Sequence, residues 1–260
     1  MNYDPSSADY LSSSEFWRRN YVGMSPYDFM EWYRVNSYPV KTVSQEDVGR
    51  VREFVHERMR RRQYRHYEET RNQKPENCMR NDFDGKIGEF VAQQTISDFD
   101  FLSLSKVVDL EVYEKKSSLV VPKEGEEVKV KDWSSDLASG SILFPVKSFN
   151  CRSGWFPTWI IQDSDRGFYS SNNTEIESTV VVFVVLDVRD DYGINENKDG
   201  VYKGRVVSFT PLRDLVTNPH LFECPKKWEI AATKRAIYLS SLIKSGVVKS
   251  FEVSLSTMSV

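Results

Sequence analysis

Three residues stand out because two are acids that could share a cation and the third is a lysine set among apolar neighbours. Glu89 closes the motif Gly85-Lys-Ile-Gly-Glu89, Asp136 follows Trp133-Ser-Ser, and Lys147 ends Phe144-Pro-Val-Lys147. Two carboxylates brought close together can hold Mg²⁺, with Mn²⁺ expected to substitute. The ion supplies Lewis-acid charge and activates a water. Magnesium takes few carboxylates and keeps waters and substrate oxygens, so a sparse Asp/Glu set suits it. A lysine beside them can orient the attacking water and stabilise the charge that develops. Each residue also has an ordinary reading: Glu89 as a first-turn helix acid and Asp136 as a turn residue. Lys147 is harder to dismiss, because Ile142-Leu-Phe-Pro-Val-Lys-Ser-Phe149 is almost wholly apolar and an unpaired ammonium there would cost several kcal/mol.

The elements needed to position these residues follow from periodicity. Ser44 is a good N-cap, with Asp47 three residues on, and Val48, Val51, Val55 and Met59 recur at helical spacing. These features predict a helix from Gln45 to about Glu69. A short helix is expected around Pro26 to Val35, ended by Tyr38-Pro39. Asn72 to Asn81 reads as a loop, and a second helix is expected from near Asp84 to Ile96. The period then changes to two. Strands are expected at Val107–Tyr113, Ile142–Phe149, Trp155–Ile161, Val180–Val188 and Gly204–Phe209, with a hairpin joining Leu119–Val121 to Val128–Val130. Val180–Val188 is apolar enough to lie covered on both faces. Lys234–Lys244 is expected to be a closing helix.

In this order, the Gly-x-x-Gly-Glu helix, the Asp136 hairpin and the Lys147 strand resemble the PD-(D/E)XK nuclease superfamily over roughly residues 84 to 244. The resemblance implies an α/β restriction-endonuclease-like core, with a central mixed β-sheet flanked by helices. Residues 81–260 would form that core and residues 1–80 a helical N-terminal extension that contacts DNA or builds a dimer. It further implies Mg²⁺-dependent cleavage of double-stranded DNA, restriction-type and site-specific, with Asp136 and Glu89 as metal ligands and Lys147 positioning the water. A homodimer fits two-strand cutting. Pro145 stands where the family carries an acid two residues before its lysine, so Glu89 must supply the missing carboxylate. Pro145 also invites the alternative of a catalytically inactive module that binds DNA or protein through the same fold. A degradative or repair nuclease is a further alternative within the class. A rival register exists in Glu127-Val-Lys129, with Asp109 upstream, but its surroundings are crowded with charge like a solvated edge strand.

Composition sets outer limits. The chain has 260 residues, 28% charged and 40% hydrophobic, with a formal net charge of −3, which is ordinary for a globular domain. Three scattered cysteines without metal-ligand spacing suggest a reducing, cytoplasmic setting. No apolar run reaches membrane-spanning length. No Gly-rich loop ending in Gly-Lys-Ser/Thr is present, so no nucleotide cofactor is expected. His56, His66 and His220 form no pairing suited to zinc or nucleophilic catalysis. Basic residues concentrate between Lys41 and Arg80. Arg60, Arg61, Arg62 and Arg65 are the candidate phosphate contacts, although interspersed Glu53, Glu57, Glu68 and Glu69 equally suit a solvated helix laced with ion pairs. Ser148 and Gln162 are secondary candidates for contact with DNA.

Overall fold

The computed structural model describes residues 37–61, 75–112, 135–150, 158–162, 178–186, 201–216, 222–223 and 234–238. The elements in chain order are β1 (Lys41–Thr42), α1 (Gln45–Arg60), α2 (Pro75–Ile96), β2 (Leu137–Ser139), β3 (Ile142–Phe144), β4 (Val146–Asn150), β5 (Thr158–Gln162), β6 (Val180–Leu186), β7 (Lys203–Pro211), α3 (Leu212–Val216), β8 (Phe222–Glu223) and β9 (Lys234–Tyr238). The fold is mixed α/β. Its main sheet runs β1-β7-β6-β4, with β4 and β6 parallel and the other pairs antiparallel. A second sheet, β5-β9-β8, is antiparallel, and β2-β3 is a hairpin. Among the described residues no helix is long and apolar enough to cross a membrane.

α1 starts where its cap predicts. Ser44 Oγ accepts the Asp47 N–H at 3.1 Å, which satisfies one of the free donors of the first turn. Val48, Val51 and Val55 are fully buried, and each such valine stabilises the packed helix by about 1.5 kcal/mol or more relative to exposure. α2 begins at Pro75, well before the expected Asp84, so the expected loop at Asn72–Asn81 is helical from Pro75 onward. Proline suits a first helical position because its ring presets φ and its missing N–H is not needed there. Cys78, Met79 and Phe83 are buried in this early part, and their burial outweighs the polar surroundings that suggested a loop. From Ile87 to Ala92 every residue of α2 is buried. A helix apolar on all sides must be covered on all sides, and α2 joins buried residues of α1 and of the main sheet in one hydrophobic core.

β6 is buried along its whole length, as a continuous apolar run requires. The expected strand at Ile142–Phe149 forms in two parts, divided at Pro145. Proline lacks the ladder N–H. On its N-terminal side β3 pairs with β2 through a turn at Gly140, whose φ is +56°. On its C-terminal side β4 pairs with β6, and Pro145 still accepts the Val182 N–H at 2.9 Å.

Two expected elements take another form. Residues 107–112 are not a strand. The Val108 N–H goes to the Gln93 side chain at 2.9 Å and the Glu111 N–H to Asp109 Oδ1 at 2.8 Å, so side chains take the donors a strand partner would need. Lys234–Tyr238 is not the start of a closing helix but strand β9, antiparallel to both β5 and β8. Ile237 and Tyr238 are good strand formers, and the long-range partner decides what local pattern left open. The expected helix at Pro26–Val35, residues 62–69 of the first long helix, the hairpin between Leu119 and Val130, and residues 155–157 and 187–188 of two expected strands lie outside the described residues.

Among the described glycines, Gly88 makes the tightest approach to another element, joining α2 to β4. A Cβ built on Gly88 would overlap Ser148 Oγ and lie 2.8 Å from Ser148 Cβ, whereas one on Gly85 meets nothing within 4 Å. Opposite effects are therefore expected in equilibrium denaturation. Gly88→Ala should destabilise by about 1–3 kcal/mol through overpacking, and Gly85→Ala should stabilise by about 0.5–1 kcal/mol through helix propensity. Equal effects of the two substitutions would show that this approach does not constrain the fold.

A candidate carboxylate-rich pocket between two helices

α2 carries Asp82, Lys86 and Glu89 at steps of four and three residues, which places them on one helix face. α1 presents Phe54 and Arg58, also four apart. These five residues line a pocket of about 190 Å³, together with Asp109 and Glu111 from the irregular segment after α2. Such a volume far exceeds the roughly 10–15 Å³ needed for one water.

The electrostatics of the pocket are specific. Lys86 Nζ donates to both oxygens of Glu89, at 2.8 and 2.7 Å, and the two side chains are only 11% and 9% exposed. Arg58 pairs with Asp82, tying α1 to α2. Phe54 lies beneath both cations, its ring centroid 5.6 Å from Arg58 Cζ and 5.7 Å from Lys86 Nζ, a range at which a ring face attracts positive charge. The lining contains the carboxylates of Asp82, Glu89, Asp109 and Glu111 against the cations of Arg58 and Lys86, so four negative charges face two positive ones. Removing one partner of a buried pair such as Lys86–Glu89 costs about 3–5 kcal/mol, because the other charge is then stranded. The donors are all hard oxygens, the chemistry that Mg²⁺, Mn²⁺ or Ca²⁺ prefers. Among the described residues no group of three or more His, Cys, Asp or Glu side chains is placed to hold a metal ion together.

The sequence-derived candidates fall into different places. Glu89 is buried in this pocket. Asp136 immediately precedes the β2-β3 hairpin, and its Oδ2 accepts the Val146 N–H at 2.8 Å, one residue before Lys147. That carboxylate supplies the hydrogen bond that the first residue of β4 would otherwise need from a continued β2. Lys147 is partly buried on β4, opposite Phe183 of β6. Strand alternation sets Lys147 on the face away from Ser148 and Asn150. Those two meet α2 instead, Ser148 at Gly88 and Asn150 Nδ2 at Asp84 Oδ2, 3.1 Å. Glu89 and Lys147 therefore belong to elements in contact but to different faces of the sheet. The Ser148 hydroxyl oxygen is buried in the α2–β4 contact. Gln162 ends β5 opposite Lys234. Arg62 and Arg65 lie outside the described residues.

Asp109, the acid of the rival register, shares the pocket with Glu89; Glu127 and Lys129 of that register lie outside the described residues. Sequence reasoning also passed over Lys86, Asp82 and Glu111. The spacing 86-89 within the expected helix was a legible signal for Lys86, whereas Asp82 precedes the expected helix start and gave none. Nothing local marked Glu111, which enters the pocket only because the chain after α2 folds back.

Arg60 and Arg61 both bind Glu57. Arg60 Nε and Nη2 each donate at 2.7 Å and Arg61 Nε donates at 2.6 Å. This is the ion-paired end of a solvated helix. Comparison with protein-family models, with characterised proteins and with solved structures returned no match for this chain.

The hydrogen bond from Arg60, followed by that from Arg61, holds the Glu57 carboxyl at about 2, below its ordinary 4.5, and Glu57 in turn raises Arg60. A depressed carboxyl contributes stability that is present above about 4.5 and is lost as pH falls through about 2. Carboxyl-detected NMR titration should place the Glu57 midpoint near 2. High salt, or Arg60→Ala with Arg61→Ala, should move it up toward the ordinary range. A midpoint at the ordinary value in low salt would dissolve this cluster.

Proposed function

We propose that this protein is a divalent-cation-dependent phosphodiesterase acting on double-stranded DNA, with a restriction-endonuclease-like core. The observation that carries the reading is that Glu89, the acid of the Gly-x-x-Gly-Glu helix, lines one pocket with Asp109. The family resemblance, the mixed sheet with α2 packed on β4, and the excess of carboxylates all support it.

In this reading Glu89 and Asp109 would hold Mg²⁺ or Mn²⁺, with waters and substrate oxygens completing the shell. The ion, when bound, supplies positive charge to the scissile phosphate and lowers the pKa of an attacking water. The protein's own residues do the rest. Phe54 and the buried wall of α2 limit water access, which strengthens charge interactions inside. Arg58 holds Asp82 and so keeps the α1–α2 gap at fixed width. A second reading keeps Asp136 and Lys147 as the site, with Glu89 completing it. It is favoured by the Asp136 contact at the head of β4, one residue from Lys147. Cleavage of both strands at one site suits a homodimer, and the basic residues Arg60, Arg61, Arg62 and Arg65 would contact phosphates.

One set of assays separates these readings. Linear and supercoiled duplex DNA are incubated with Mg²⁺ or Mn²⁺ and wild type, Glu89→Gln, Asp109→Asn, Asp136→Asn and Lys147→Ala. Loss of at least about 100-fold is expected for Glu89→Gln and Asp109→Asn, beyond what supporting residues around a metal usually cost. Less than about tenfold is expected for the other two. The opposite pattern would return the site to Asp136 and Lys147. Duplex binding without cleavage under any divalent ion would replace the enzyme with a binding module.

A further inference from the structure

The Lys86 ammonium donates to both oxygens of Glu89, in a pair almost closed to solvent. A buried carboxylate is costly in a low-dielectric setting unless nearby cations offset its charge. Lys86 offsets that cost while no divalent ion is bound. The same contact blocks the oxygens that an ion would need. An ammonium and a divalent ion cannot share them, because like charges at that separation repel strongly in a partly buried site.

Helix geometry provides a place for Lys86 to go. Asp82 lies four residues before it on the same face and lines the same pocket; Arg58 already pairs with it, and its carboxylate can take a second cation beside that arginine. A lysine has four flexible methylenes and can swing from its i+3 partner to its i−4 partner. Phe54 lies alongside this path and tolerates positive charge throughout.

Building on the cation reading above, we propose that Lys86 is an internal counter-ion of Glu89, displaced toward Asp82 and the pocket mouth when a divalent cation binds. The exchange sets cation affinity. It keeps the pocket folded without an ion, makes binding weaker than the carboxylates alone would give, and delivers an ammonium toward the substrate side only in the loaded state.

The test measures the acetylation rate of Lys86 in the intact protein by mass spectrometry, with and without Ca²⁺. Ca²⁺ binding to wild type and Glu89→Gln is followed in parallel by calorimetry. The expected result is Glu89-dependent Ca²⁺ binding with a several-fold rise in Lys86 labelling, while exposed Lys203 stays unchanged. Glu89→Gln should label Lys86 fast with or without Ca²⁺. Lys86→Met should bind Ca²⁺ about tenfold tighter or more; if that variant does not fold, the labelling of wild type decides alone. Glu89-dependent binding with flat Lys86 labelling would overturn the counter-ion exchange and leave the cation site standing. Ca²⁺ binding that is absent, or unaffected by Glu89→Gln, would overturn the cation site and the exchange with it.

Discussion

The close contact between α2 and β4 at Gly88 and Ser148 governs much of this architecture. Only a residue without Cβ lets the helix lie this near the strand. That approach fixes the height of α2 above the sheet and its rotation about its own axis. With Gly88 turned to the strand, Ile87, Val91 and Ala92 enter the core shared with α1 and the sheet. Glu89 then has one direction left, into the gap between the helices. A glycine in a helix interior gives up on the order of 1 kcal/mol of propensity. Here that loss sets the position of the acid beside it.

The gap itself is held by charge. Arg58–Asp82 links α1 to α2, Lys86–Glu89 runs along α2, and Phe54 supports both cations. Buried ion pairs rarely add net stability over apolar packing of similar volume. The Lys86–Glu89 pair stands beside the apolar core nearly closed to solvent, whereas Arg58–Asp82 keeps more contact with water. The arginines at the exposed end of α1 form a contrast. Arg60 and Arg61 share Glu57 at the surface, where such pairs contribute little to stability and are screened by salt.

The head of β4 is organised around a proline. Pro145 cannot donate to a ladder, so the strand changes partner there, from the hairpin to β6. Asp136 takes the next free N–H, that of Val146. The pairing explains why an acid is needed at the hairpin base whether or not it also binds a ligand. It also sets Lys147 by register: one residue earlier or later, its side chain would face α2.

Local chemistry in the sequence determined the cap and buried face of α1, the C-terminal end of α2, the central place of β6 and the hairpin after Asp136, because each rests on neighbouring residues or a short period. It also marked Glu89 through its two glycines. It could not determine where α2 begins, since burial of Cys78, Met79 and Phe83 depends on what packs over them. Nor could it show that Lys234–Tyr238 pairs with β5 and β8, because strand partners lie far along the chain. The partner of Glu89 was likewise beyond its reach. Lys86 lies three residues away and could have been read from helical spacing, but Asp109 and Glu111 meet Glu89 at one pocket only because side chains of α2 and of the following segment take up the hydrogen bonds of residues 108–111. Sequence singled out Glu89 by its neighbouring glycines; tertiary structure decided which charges surround it, because proximity between non-neighbouring residues is a property of packing.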